Sequence, residues 1–186
     1  MSGHGHADHG DHGNPANKKI ALLIAVLALV LAFSETLGKS AQTAALSLNI
    51  EASNLWAFFQ AKTIRQTVLR TAAEQMETVN TNEKTKKQIE TWRKTADRYQ
   101  SEPETNEGRK ELAERAKAAE QKRDRSLAAY HHYELASAAV QIAIVLASAA
   151  IITGAMALTW IGIGLGAIGV VFCLIGFLAP TAVHLF

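Results

Sequence analysis

Fifty-two consecutive residues, Leu135 to Phe186, contain no Asp, Glu, Lys or Arg, while nearly all the charge of the chain lies between Lys39 and Glu134. A charged side chain costs about 2.5–3.5 kcal/mol at the centre of a membrane-spanning helix. Segregation this complete therefore predicts apolar spans on both sides of a water-facing middle. The apolar fraction of 48% would suit a globular domain, but it averages over very unlike segments. Long runs of Ala, Glu, Lys, Gln and Arg with only three prolines predict an all-α chain. A net charge of +2, with acids and bases interleaved, gives no basic stripe for nucleic acid. The single cysteine, Cys173, excludes disulfide frameworks and zinc ribbons.

Residues 1–17 are Gly, His and Asp with almost nothing to bury, so they read as a disordered tail. His4, His6, His9 and His12 recur at spacings of two and three. Imidazole is the commonest metal ligand, so these four are the candidate site for Zn, Ni or Cu, against the plainer reading of a solvated tail. No other cofactor is expected.

Lys18 and Lys19 lead into the fourteen apolar residues Ile20 to Phe33, and extension to Gly38 supplies the roughly 20 that a span needs. Residues 18–38 thus form the first predicted transmembrane helix. A cleaved secretory signal is the rival, with Val30-Leu31-Ala32 as its processing site, but helix-forming sequence continues straight past Phe33.

Residues 39–134 are expected to form a long, coiled-coil-like helical hairpin arm between the first span and the second, with helices at about 39–79, 83–100 and 109–134. Ala41, Ala45, Leu48, Ala52, Leu55 and Phe59 alternate spacings of four and three. Beyond Trp56, Phe58 and Phe59 the apolar stripe resumes at Ala61, Ile64, Val68, Ala72, Met76 and Val79, which predicts a register shift. Leu48, Leu55, Trp56, Phe59, Ile64 and Val68 are the candidate interaction residues of the arm. Asn80 and Glu83 stand at capping-box spacing, as do Ser101 and Glu104 around Pro103. Ile89, Trp92, Ala96 and Tyr99 share one face of the middle helix; Leu112, Ala116, Ala119, Leu127 and Tyr130 mark the return helix.

The run AALSLNIEASNLWAFFQAKTIRQTVLRTAAE, following LLIAVLALVLAFSETLGKSAQT, resembles the DUF4337 family of bacterial membrane proteins. The block Asn54 to Gln66 is the most specific part, and the resemblance covers nearly the whole chain. It implies a bacterial inner-membrane protein and carries over no catalytic residues.

Residues 135–158 and 160–179 are the second and third predicted spans, joined at Thr159, and 180–186 form a short tail. Ala139, Ala143, Ala147, Ala150, Gly154 and Ala157 line one span; Gly162, Gly166, Gly169, Cys173 and Gly176 line the other. Lipid is as apolar as leucine, so helices associate there through close backbone contact, and facing small stripes predict a tight antiparallel pair. The letters of Gly164 to Gly169 match a dinucleotide fingerprint, but no strand precedes them.

No catalytic constellation is found, so the expected function is a non-enzymatic scaffold or adaptor in the bacterial inner membrane. Its partners would be membrane lipid, further copies of itself through the arm, and an unidentified protein, with no nucleic acid. The alternatives are divalent-metal handling by the tail and an oligomeric pore or transport accessory. The spans lack the buried charge that a proton or ion path by itself would need. Five basic residues flank the arm side (Lys39, Lys117, Lys122, Arg123, Arg125) against Lys18 and Lys19 on the tail side, which places the arm in the cytoplasm.

Overall fold

The computed structural model describes residues 15–79 and 82–183. The candidate metal ligands His4, His6, His9 and His12 lie outside the described residues, as does Asn80. The described chain is all-helical: α1 spans Pro15–Val79, α2 Glu83–Gln100, α3 Arg109–Thr153 and α4 Met156–Leu178. Three of these, α1, α3 and α4, are long and apolar enough to cross a membrane. Two compact units divide the chain, one of Met1–Ala41 with Ala128–Phe186, the other of Gln42–Leu127.

The first unit packs the start of α1, the end of α3 and all of α4. On α3 the buried line is Ala136, Val140, Ala143, Ala147 and Ala150, spaced four, three, four and three. Sequence pattern put Ala139 on this line. It is only half-buried, because the true line takes in Val140, a larger residue that the small-residue pattern skips. Ile20 packs with Ala147 and Ala150, and Leu27 with Val140 and Ala143.

On α4, Gly162, Gly166, Gly169 and Gly176 are buried and Cys173 is half-buried. A Cβ on Gly162 would sit 3.1 Å from Ala143 O, and one on Gly169 would sit 3.0 Å from Ala136 O. The backbones of α3 and α4 therefore approach as closely as glycine permits. Gly166 faces Leu27 of α1 instead, and Gly176 faces His132 and Tyr133. Cys173 lines an apolar groove of about 300 Å³ with Val30, Phe33 and Phe177.

The reversal between α3 and α4 comes earlier than Thr159. It lies at Gly154-Ala155, where Gly154 adopts φ 70°, a left-handed conformation that glycine takes without a Cβ clash. Gly154 is thus a turn residue, exposed, and not part of the packing stripe. Thr159 is buried inside α4.

The second unit packs the later part of α1 against α2 and the start of α3. The inward line on α1 runs Ala45, Leu48, Ala52, Leu55, Phe59, Lys62, Gln66, Leu69, Ala73 and Met76, each at least half-buried. Spacings of three and four alternate along it without interruption, so there is no register shift. The expected shift came from following apolar residues alone. Two polar side chains, Lys62 and Gln66, occupy the line where the sequence offered Ile64 and Val68.

Leu112 and Ala116 of α3 are fully buried against Leu55, with Trp56, Phe58 and Phe59 around them. Burying Leu112 stabilises the unit by roughly 1.5–3 kcal/mol. Ile89 and Ala96 are the buried residues of α2. Leu127, expected on the return face, is 42% exposed.

Both expected capping boxes give way to other arrangements. Asn82 is the N-cap of α2, its Oδ1 accepting from Thr85 N at 2.9 Å and from the Thr85 hydroxyl at 2.7 Å. Ser101 closes α2 as its C-cap, and helix resumes only at Arg109. Asn106, at φ 56°, turns the intervening loop.

Candidate functional site

The second unit is held by polar residues where a helical bundle ordinarily has an apolar seam. Lys62 is 6% exposed, and its ammonium needs compensation, because an isolated buried charge is strongly unfavourable. Glu102 supplies it at 3.5 Å, with Glu107 at 4.0 Å. The rings of Phe58 and Tyr99 stand 5.3 and 5.1 Å from the Lys62 nitrogen, offering their negative faces to the cation.

One helical turn further, Gln66 uses both ends of its amide. Its Nε2 donates to Ala96 O at 2.9 Å and to Gln100 Oε1 at 3.3 Å, while its Oε1 accepts from an Arg109 amino group at 2.5 Å. The same Arg109 nitrogen donates to Gln100 Oε1 at 3.0 Å, and the guanidinium lies over Phe59 at 4.9 Å. Arg109 is therefore held by amide oxygens and an aromatic face, and its buried Nε has no hydrogen-bond partner among the described residues.

Residues 101–108 are tied into the same cluster. Glu102 reaches Lys62 with one carboxylate oxygen and Arg98 with the other, at 3.4 Å. The Ser101 hydroxyl donates to Glu111 at 2.6 Å and holds that carboxyl below its ordinary range. Gly108 is buried where a Cβ would overlap Glu102 N and stand 2.7 Å from Ser101 Cα. Trp56 Nε1 donates to Glu120 at 2.9 Å, adding a further link from α1 to α3. The cluster registers three helices and a loop against each other. Chemically it presents paired charges and saturated amides.

Of the six arm residues singled out by pattern, Leu48, Leu55, Trp56 and Phe59 face inward and are consumed by packing within the chain. Ile64 and Val68 face outward, 64% and 60% exposed, together with Leu46 and Ile50. The later half of α1 thus carries two apolar stripes on opposite faces, one partnered by its own chain and one bare.

Sequence pattern missed Lys62, Gln66 and Arg109. A signal was present: Lys62 and Gln66 fall on the three-four line extrapolated from Ala45 through Phe59. Among the described residues no group of three or more His, Cys, Asp or Glu side chains could hold a metal ion.

No curated protein and no solved structure matches the chain. The model of one family, described as a domain of unknown function, matches residues 16–179, which takes in all three apolar helices and the whole polar cluster. The match covers 164 of the chain's 186 residues, and the chain therefore belongs to the DUF4337 family.

Proposed function

We propose that the protein is a membrane-anchored, non-enzymatic scaffold of the bacterial inner membrane that self-associates through the outer face of α1. The observation that carries this reading is the bare stripe of Leu46, Ile50, Ile64 and Val68, each more than half exposed on one side of one helix. A single exposed apolar residue needs no explanation, but an aligned row of them marks an interaction surface. The polar cluster supports the same reading, because it rigidifies the helix that carries the stripe. A preorganised surface loses less entropy on binding.

Replacing Ile64 and Val68 together by lysine is expected to reduce the particle extracted in mild detergent to a single copy, measured by light scattering. Both side chains are exposed, so the fold of one copy should change by no more than about 0.5 kcal/mol per site. A wild-type protein that is already monomeric under those conditions would dismiss the scaffold.

The charged unit is proposed to face the cytoplasm, on the excess of Lys and Arg flanking it. A cysteine at Glu104, exposed in the loop before α3, reports on this in a Cys173→Ala background. Protection from an impermeant maleimide in intact cells, with labelling after lysis, is the expected outcome. Labelling of intact cells would reverse the orientation.

A further inference from the structure

We infer that the groove between α1 and α4 seats one acyl chain of a membrane phospholipid, which completes the contact between those two helices. The inference rests on α1 and α4 crossing a membrane and does not depend on self-association.

The two walls run in step. Val30, Phe33 and Leu37 come from α1, and Val170, Cys173 and Phe177 from α4, both sets spaced three and four. Each set covers about two helical turns, or roughly 10 Å of rise. One turn before the groove begins, α1 and α4 touch. A Cβ on Gly166 would stand 2.6 Å from a methyl of Leu27.

The sequence explains why the helices part beyond that contact. Of the four buried glycines of α4, Gly166 alone turns to α1, while Gly162, Gly169 and Gly176 lie against α3. After Gly166 the side of α4 next to α1 carries Val170, Cys173 and Phe177. Side chains of that size hold the backbones apart without filling the space between them, about 300 Å³.

The lining selects the occupant. Apart from the Cys173 thiol its side chains are hydrocarbon, so a water molecule would find too few polar partners to stay. Phe33, Leu174 and Phe177 are each more than half exposed, so the groove opens outward. On helices that cross a membrane, outward means toward hydrocarbon chains. A methylene chain on a flat helix face is touched from one side, whereas in this groove both helices touch it. Each added heavy-atom contact contributes dispersion attraction, and in lipid close packing is what holds helices together. A chain is therefore retained here in preference to the flat faces.

The groove also has a direction. Leu37 and Phe177 stand at one end, beside Gly38 and Lys39 on α1 and near Ala179, the C-cap of α4. The lipid belongs to the leaflet at that end, with its headgroup level with Lys39.

The test places the full chain in vesicles of phosphatidylethanolamine and phosphatidylglycerol. A trace of phospholipid carries a diazirine in its acyl chain, and adducts are mapped by mass spectrometry after photolysis. Labelling of Phe33 and Leu174 several-fold above Ile161 and Ile168, which are similarly exposed, is the expected result. Cys173→Phe fills the groove from one wall and Val30→Phe from the other, and each should bring the labelling down to that of the two isoleucines. Uniform labelling of the wild type, or an excess that survives both variants, would overturn the inference.

A second measurement needs no variant, because Cys173 is the one cysteine of the chain. Phospholipid added to the detergent-purified protein should slow its reaction with a lipid-soluble maleimide several-fold; an unchanged rate would also count as refutation. A Cys173–Cys173 disulfide formed in the vesicles would put a second copy in the groove in place of lipid. Release of the chain from native membranes by alkaline carbonate would be a separate failure, that of the membrane reading itself.

Discussion

Gly169→Leu is expected to prise α4 away from α3 and to cost about 1–3 kcal/mol or more, the range of overpacking in a filled core. The first atom added already decides the outcome. A Cβ there stands 2.5 Å from Val140 Cγ2 and 3.0 Å from Ala136 O. The Val140 methyl can rotate away, but Ala136 O belongs to the α3 backbone and cannot move without the helix.

The setting raises the cost. Where lipid replaces water, exposing an apolar helix face is nearly free, so little except close contact holds α4 in place. Gly164→Leu is the matched control, since a Cβ there has nothing within 4 Å, and it should change stability by no more than about 0.5 kcal/mol. Unfolding in detergent compares the two, with alkylation of half-buried Cys173 as a local probe. Equal stability of both variants would mean that this helix contact is not made.

The glycine stripe behind that prediction was legible in the sequence because in lipid the pattern and the packing force are the same thing. Small residues at three-four spacing are what close backbones require, and Gly162, Gly169 and Gly176 lie against α3, while Gly166 turns to Leu27 of α1. The span boundary was less legible. Gly154 looked like one more small residue in a stripe, and only its positive φ distinguishes a turn from a packing position. No apolar pattern encodes that difference when residues on both sides are equally greasy.

In the charged unit the pattern misled for a different reason. Period-seeking follows apolar residues, and at Lys62 and Gln66 the seam changes chemistry without changing register. The nearest apolar residues, Ile64 and Val68, lie on the opposite face, so a stripe of apolar residues alone mimics a shift of register. What makes Lys62 and Gln66 buriable is supplied from far along the chain, by Ala96, Tyr99, Gln100, Glu102 and Arg109. Local sequence cannot show such partners.

Gln66→Leu separates these two ways of seeing the seam. A pattern of apolar positions predicts stabilisation, since leucine is close in size and would complete the stripe. The geometry predicts a loss of about 1.5–3 kcal/mol, the range for a hydrogen bond to a charged group. Leucine removes the oxygen that accepts from Arg109 at 2.5 Å, leaving the half-buried guanidinium, among the described residues, with Gln100 and the face of Phe59. Denaturant unfolding measures the difference.

The origin of the loss can be checked by changing the partner as well. With Arg109→Met the cation is gone, and a thioether can still pack on the Phe59 ring. Gln66→Leu should then cost less than it does alone, because no charge is stranded. Removing both members of a buried polar pair is often far milder than removing one. A coupling of about 0.5–3 kcal/mol between the two sites is expected from residues sharing one hydrogen bond. If Gln66→Leu instead raises stability with Arg109 present, the amide contributes no structural hydrogen bond, and the seam is an ordinary apolar one with a glutamine in it.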